Sequence, residues 1–137
     1  MTQEQAKKEL KVLKSMAKDI QAVELEIERL MAVAMKMTPT YNPDHVMTSS
    51  SSKIEDALIK VEEYRSRLSK LLIKSLDYKD KCLAKVNQIE PPSLRSVLIY
   101  YYFQDNTLEK TAELLGKSYQ WTYTMFTTAL DEYAKKN

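Results

Sequence analysis

The chain has 137 residues, of which 44% are hydrophobic and 29% are charged, with one glycine and four prolines. This composition leaves few positions for tight β-turns, while helix-forming residues such as Lys, Glu, Leu, Ala and Met dominate. The net charge of +2, from 21 basic and 19 acidic residues, produces no overall field that would by itself indicate a nucleic-acid or membrane partner. We therefore expect an all-α protein with one core or two small modules.

The cysteine content and the hydropathy of the sequence indicate a cellular compartment. Cys82 is the only cysteine, so an internal disulfide is excluded, which suits a reducing cytoplasm. No apolar run approaches the ~20 residues that span a bilayer, and the start MTQEQAKKEL lacks the apolar core of a signal peptide. We expect a cytoplasmic protein that does not enter the membrane.

A long first helix is predicted over about residues 3–36, because apolar side chains recur there at steps of three and four. The main row is Ala6, Leu10, Leu13, Ala17, Ile20, Ile27, Met31 and Ala34, and a neighbouring row is Met16, Val23 and Leu30. Glu24 interrupts the main row. A stripe of this width predicts contact with more than one partner.

Residues 37–52 contain two prolines, a serine run and no helical period, so they predict a loop. A second long helix is predicted over about residues 53–89, with a heptad-like seam of Ile54, Ala57, Val61, Tyr64, Leu68, Leu71, Ser75, Tyr78, Cys82, Val86 and Ile89. Two long helices joined by one loop predict an antiparallel, coiled-coil-like hairpin. Residues 1–90 are therefore interpreted as an oligomerisation region, and their remaining apolar width favours a homodimer or a higher homo-oligomer.

Residues 91–137 are predicted to form a separate module of three helices. Pro91 and Pro92 end the preceding helix, and Ser93 is expected to cap the next one. Asp105-Asn106 is expected to form a turn, after which Thr107 caps another helix. The first of these helices is expected to include Leu94, Val97, Leu98, Tyr101 and Tyr102.

The segment TAELLGKSYQWTYTMFTTAL, residues 111–130, has the spacing of a helix-turn-helix. Such a motif needs a small residue where its helices cross and, four positions later, a residue that tolerates a positive φ; Ala112 and Gly116 have this spacing. Leu108, Leu115, Met125 and Ala129 are expected to face the core. DNA contacts are predicted from Thr107, Lys110, Lys117, Ser118, Tyr119, Gln120, Trp121, Tyr123, Thr124 and Thr127.

The order IEPPSLRSVLIYYYFQDNTLEKTAELLGKSYQWTYTMFTTAL resembles region 4 of bacterial sigma factors. Nearly the whole chain, including KIEDA at the start of the second helix, resembles the ArpU/RinA-type late-transcription regulators of phages that infect Gram-positive bacteria. The resemblance implies binding to promoter DNA, activation of phage late genes, and the helix from Ser118 in the major groove. Activation would also involve a surface that contacts host RNA polymerase.

The sequence departs from this family at two groups of positions. The family usually has apolar residues where this chain has Thr111, Lys117 and Thr122, which predicts a less stable module. It usually has basic residues at several positions held here by Tyr119, Trp121, Tyr123 and Thr127. Residues 91–137 hold five basic and five acidic side chains, so we expect weak binding of DNA phosphates by a monomer. The alternative function is a protein-binding adaptor or inhibitor, because an aromatic, uncharged surface is typical of protein interfaces.

No other pattern indicates chemistry. Neither a Gly-rich phosphate loop, nor zinc-ligand spacing, nor a nucleophile elbow occurs, so we expect no enzyme activity, cofactor or metal site. His45 is interpreted as a solvated loop residue and Cys82 as a small buried hydrophobe. The run LIYYYF, Leu98–Phe103, is interpreted as core packing rather than a base-stacking platform, because successive helical residues point in different directions.

Overall fold

The structure, a computed structural model, describes residues 1–36 and 48–137. It is all-α in this part of the chain, as the composition predicts, with no β-strand there. The elements are α1 (Gln3–Lys36), α2 (Thr48–Val86), α3 (Pro92–Leu98), a π-helical turn (Ile99–Phe103), α4 (Leu108–Leu115) and α5 (Tyr119–Lys136). None of the described helices combines the length and the apolarity that a membrane span requires.

The bounds of α1 agree with the prediction, whereas those of α2 differ at both ends. Residues 48–52, predicted as loop, belong to α2, because extending an established helix adds a hydrogen bond per residue and serine weakens it only slightly. Residues 37–47, which include His45, lie outside the described residues. The predicted end at Ile89 is replaced by Val86, since Ile89 N–H donates to the Val86 carbonyl at 3.0 Å and closes a tighter turn.

The predicted apolar rows are confirmed by burial. Every member of the main row of α1 and of the seam of α2 is buried or half-buried, while Glu24 is exposed. Cys82 is 1% exposed and belongs to the hydrophobic core cluster, as expected. Burial also raises the pKa of this thiol, so the reactive thiolate is disfavoured.

Two compact units divide the described chain. The first contains Met1–Ala17 and Lys74–Asn137, and the second contains Lys18–Ile73. The core of the first unit combines the start of α1 and the end of α2 with the later helices: Ala6, Leu10, Leu13, Cys82, Val86, Ile89, Leu94, Val97, Leu98, Tyr102, Phe126, Ala129, Leu130, Tyr133 and Ala134. The predicted domain boundary at residue 90 therefore does not coincide with the division between compact units, because side chains on both sides of it share one core.

In the second unit, α1 and α2 each bury one apolar stripe. The buried side chains are Val23, Leu30 and Ala34 of α1 and Ala57 and Val61 of α2. The exposed surface carries ion pairs within single helices, such as Glu26–Arg29 at 2.5 Å. Exposed pairs of this kind are screened by solvent and contribute little to stability, so we attribute the packing of this unit to its apolar stripes.

The start of α3 differs from the prediction. Pro91 occupies the cap position and Pro92 is the first helical residue, so Ser93 lies within the first turn and does not cap the helix. Proline is suited to this place because its fixed φ matches the helix and its missing N–H would have had no partner there.

A π-helical turn, Ile99–Phe103, continues α3 and packs its aromatic rings against α5. Gln104 N–H donates to the Ile99 carbonyl at 3.0 Å, five residues back, which defines the π-helical turn. The Tyr101 and Tyr102 rings lie 4.9 and 5.8 Å from the Phe126 ring of α5. None of the residues from Leu98 to Phe103 is exposed. The interpretation of this run as core packing is confirmed.

A half-buried polar cluster joins the start of α1 to the end of α2 and to α5. The Tyr78 hydroxyl donates to the Glu9 carbonyl at 2.7 Å, and Lys85 Nζ pairs with Glu9 Oε1 at 2.5 Å. Within the described part of the chain, the buried Tyr133 hydroxyl and Glu9 Oε2 have no hydrogen-bond partner. The two tyrosines of this cluster therefore differ in what their hydroxyls contribute.

We expect Tyr78→Phe to lower the free energy of unfolding by about 1 kcal/mol, because it removes a satisfied hydrogen bond. Tyr133→Phe should cost less than Tyr78→Phe or should stabilise the protein, because it removes a buried hydroxyl without a partner. Urea denaturation of the full chain measures both values. A loss in Tyr133→Phe equal to that in Tyr78→Phe would contradict this account.

Alkaline pH should destabilise the fold because it favours ionisation of tyrosines that the fold keeps neutral. Burial raises the pKa of Tyr78 to about 12 and also raises the pKa values of Tyr102 and Tyr133. The unfolded chain ionises these phenols near pH 10, so their contribution is complete below that pH and is lost as pH rises toward the folded values. Thermal unfolding between pH 8 and 12 should show this loss, and Tyr102→Phe should reduce it, whereas the exposed Tyr123→Phe should not.

Candidate functional site

The segment from α4 to α5 is built by local capping. The Thr107 hydroxyl accepts from Lys110 N–H at 3.1 Å at the start of α4, and the Ser118 hydroxyl accepts from Trp121 N–H at 3.1 Å at the start of α5. Between them, Gly116 ends α4 with a φ of +66°, a conformation that is strained for other residues. The predicted cap at Thr107 and the left-handed glycine are confirmed.

Two threonines lie in the core of this segment, at positions where the regulators that the sequence resembles are usually apolar. Thr111 and Thr122 are both 0% exposed. Their hydroxyls donate to the carbonyls four residues back, those of Thr107 at 2.8 Å and Ser118 at 2.9 Å, so burial leaves no donor unsatisfied. Lys117, the third such position, is exposed, because it follows Gly116 outside both helices.

Eight of the ten predicted DNA-contacting residues are exposed: Thr107, Lys110, Lys117, Ser118, Tyr119, Gln120, Tyr123 and Thr124. Tyr119 and Tyr123 are 47% and 51% exposed, and their rings stack with centroids 6.4 Å apart. The Gln120 side chain makes no hydrogen bond to another described residue, whereas the Thr124 hydroxyl donates to the Gln120 carbonyl at 2.9 Å. We call Tyr119, Gln120, Tyr123 and Thr124 the outward face of α5.

The other two predicted residues, Trp121 and Thr127, are half-buried. Trp121 packs against the core, and the Lys117 ammonium lies 5.3 Å from its ring centroid. The Thr127 hydroxyl is hydrogen-bonded to the Thr124 carbonyl at 2.9 Å. These two side chains are therefore less accessible to a ligand than the four residues of the outward face.

The site carries little positive charge of its own. Lys110 lies 3.6 Å from Glu113, so its charge is partly balanced. Lys117 has no carboxylate partner among the described residues and faces the Trp121 ring instead. The hydroxyls of Thr107 and Ser118 accept backbone hydrogen bonds as caps but keep their own protons for donation. The arrangement supplies neutral donors and acceptors rather than a phosphate-binding cluster.

The start of α1 lies beside this segment, which the sequence did not predict. Gln3 Nε2 donates to the Thr127 carbonyl of α5 at 3.3 Å. Lys14 Nζ donates to the Asn106 carbonyl at 2.8 Å and pairs with Asp105 at 3.3 Å, just before α4. The only signal in the sequence is the row Gln3, Lys7, Lys11 and Lys14, a polar stripe with helical spacing that resembles an ordinary solvated face.

Neither a metal site nor a known relative clarifies this surface. Among residues 1–36 and 48–137, no three His, Cys, Asp or Glu side chains are grouped so that they could hold a metal ion. No protein-family model matches the sequence, and no curated protein or solved structure is significantly similar to it. The similarity to ArpU/RinA-type regulators therefore stays a prediction, and the function is argued from the surface.

Proposed function

We propose that the protein is a sequence-specific DNA-binding transcription regulator in which α4 and α5 act as a helix-turn-helix. The observation that carries this proposal is the outward face of α5, which exposes hydrogen-bonding side chains over the first two turns of a helix capped by Ser118. The first turns of the second helix are the part that contacts base edges in such motifs. By its resemblance to ArpU/RinA-type regulators, we propose promoter DNA as the ligand and activation of phage late genes as the role, with contact to RNA polymerase in the host cytoplasm.

The side chains of this face suit different contacts. Gln120 has a free amide, which matches the donor and acceptor of adenine in the major groove. Thr124 has its proton engaged with the Gln120 carbonyl, so it serves as an acceptor or packs its methyl group against thymine. Tyr119 and Tyr123 offer phenol donors to phosphate oxygens. Gln120 is therefore the main candidate for reading a base.

Assembly of at least two copies is part of the proposal. A single outward face with few cations has a small binding footprint, and two copies would present it twice to a duplex, as dimeric helix-turn-helix proteins do. The second compact unit supports this part of the proposal because it leaves Leu58, Ile59, Leu72 and Ile73 of α2 exposed.

The alternative is an adaptor or inhibitor that binds another protein. The stacked, half-exposed rings of Tyr119 and Tyr123 favour it, because exposed tyrosines without charged neighbours are typical of protein interfaces. The two functions differ in their dependence on salt. DNA affinity should fall steeply as salt rises, whereas an aromatic protein interface should respond little.

Selection of bound duplexes from a random pool with the full chain tests the proposal. We expect an enriched site that the protein prefers over random DNA. Gln120→Ala should reduce the free energy of binding to this site by about 1–3 kcal/mol, and Thr124→Ala by less, because the Thr124 hydroxyl proton is already engaged. Mobility-shift titrations at several salt concentrations measure both effects.

Thr128→Ala is the matched control. Thr128 is exposed on α5 and its hydroxyl donates to the Thr124 carbonyl at 2.9 Å, but it lies one turn beyond Thr124, outside the first two turns that would contact bases, so its replacement should leave specificity unchanged. If no sequence is enriched, the proposed sequence-specific binding of DNA is rejected. If sites are enriched but Gln120→Ala leaves the preference intact, Gln120 has no readout role.

A further inference from the structure

A cavity in the first compact unit combines lysines with aromatic rings. Its volume is about 320 Å³ and it is lined by Lys7, Lys11, Lys14, Tyr101, Tyr102 and Phe126. The lysines come from one side of α1, while the rings come from the π-helical turn and α5. We call this the basic cavity.

The three lysines of the basic cavity are not equivalent. The Lys14 side chain is 18% exposed and pairs with Asp105 at 3.3 Å, and its ammonium lies 4.0 Å from the Tyr101 ring centroid. The Lys14 charge is therefore balanced by a partner within the fold. Lys7 has only the exposed Glu4 at 4.0 Å, and Lys11 is exposed with no ion pair to any described residue. Two cations at this cavity are therefore available to an external anion.

These two cations lie close to α5. Gln3, Lys7 and Lys11 succeed one another at four-residue steps along one side of α1, about 6 Å per step, and Gln3 is hydrogen-bonded to Thr127 of α5. The floor of the cavity also contacts α5, because the Tyr101 ring lies 4.9 Å from the Phe126 ring. Lys7 and Lys11 thus share a cavity with Phe126, which lies about one helical turn from Tyr123 on α5.

We propose that Lys7 and Lys11 bind backbone phosphates of the same DNA duplex that the outward face of α5 contacts. This inference rests on the proposed function and supplies the cations that α5 lacks. Lysine amines bind phosphates as point charges without reading the base sequence. They should therefore set affinity and its dependence on salt, while the outward face of α5 sets specificity.

The test compares two double variants of the full chain that change the net charge equally. Lys7→Gln with Lys11→Gln removes the available cations, and Lys8→Gln with Lys18→Gln removes two exposed lysines of α1 that do not line the cavity. The probe is a random-sequence duplex of about three helical turns. The slope of log affinity against log salt should become shallower by about 1.8 for the first variant, about 0.9 for each phosphate that the variant no longer neutralises, and should not change for the second.

The outcomes separate this inference from the proposed function. Equal slopes for the two double variants, with wild-type binding intact, overturn the role of Lys7 and Lys11 and leave the function standing. Absence of any salt-sensitive DNA binding by the wild type rejects both. A free nucleotide carries the same phosphate group, so adenosine monophosphate is titrated in parallel. Binding of the mononucleotide that needs Lys7 and Lys11, without their effect on duplex binding, assigns the cavity to a small ligand and overturns the inference.

A different observation, in the second compact unit, carries a second inference, which rests on the proposed assembly of two copies and specifies how α2 would take part in it. Leu58, Ile59, Leu72 and Ile73 are 45%, 58%, 42% and 61% exposed. The two pairs lie fourteen residues apart, which is two heptads, so they share one side of the helix. Leu58 and Ile59, together with Glu62 and Glu63, also line an open depression of about 500 Å³, which can receive an apolar side chain.

Charge along the same helix indicates how a partner would lie. Residues 53–64 hold two basic and four acidic side chains, whereas residues 65–73 hold three basic and no acidic ones. A second α2 in antiparallel orientation would place each acidic half against a basic half. With a two-fold axis between Arg65 and Ser66, Leu58 lies opposite Ile73 and Ile59 lies opposite Leu72. One self-complementary register thus pairs the exposed apolar residues and brings the acidic half of each helix alongside the basic half of the other.

We infer that this side of α2 binds the same side of α2 in a second copy of the chain, antiparallel and centred between Arg65 and Ser66. Disulfide formation tests the register, because the bond needs two Cα atoms within about 7 Å. When the Leu58→Cys and Ile73→Cys variants are mixed and oxidised, a mixed dimer should form. Each variant alone should not cross-link, because identical positions would lie about 22 Å apart along the axis.

The control is Leu25→Cys, which places a thiol on α1 in the same compact unit. Leu25 is 57% exposed, about as much as the tested positions. A mixture of Leu25→Cys and Ile73→Cys should not cross-link. The native Cys82 is buried and should not react. A Leu58→Cys dimer formed with itself would indicate a parallel pair and overturn the register. Absence of the mixed dimer, with a monomer in sedimentation, overturns the interface.

Discussion

Burial of the first turns of α1 is the interaction on which the rest of the structure depends. Ala6, Leu10 and Leu13 are at most 1% exposed and belong to the same apolar cluster as α3 and α5. A module of residues 91–137 alone would leave that side of its core in water, at a cost of about 1.5–3 kcal/mol for each large apolar side chain. The two ends of the chain are thus parts of a single cooperative core.

The same packing changes the electrostatics of the candidate site. Judged from residues 91–137, the site has no net charge and little ability to hold a polyanion. Because α1 packs on this module through one apolar stripe, its neighbouring polar stripe is fixed beside α5, and lysines distant in sequence become part of the surface. The proposed function is compatible with a neutral outward face of α5 and separate lysines on α1, since positioning and base recognition are different tasks in DNA binding.

Threonine has a consistent role in the uncharged helix. The hydroxyls of Thr122, Thr124, Thr127 and Thr128 all donate to carbonyls of the preceding turn of α5. Each threonine satisfies its own donor, so Thr122 can be buried and the others can be exposed without further partners. This leaves Gln120, Tyr119 and Tyr123 as the groups of the outward face whose donors are not used within the helix.

The amino-acid sequence by itself determined the class of fold, the apolar rows of α1 and α2, the cap at Thr107 and the turn at Gly116. These features depend on side-chain period and local backbone geometry, which are readable over a few residues. It did not locate the π-helical turn, the helical state of residues 48–52 or the proline cap of α3, where competing local preferences are close in energy. Only the tertiary structure decided that Lys7 and Lys11 lie near α5 while Trp121 and Thr127 are half-buried. Those placements depend on which apolar stripes pack against each other, and this packing is determined by burial of the whole core.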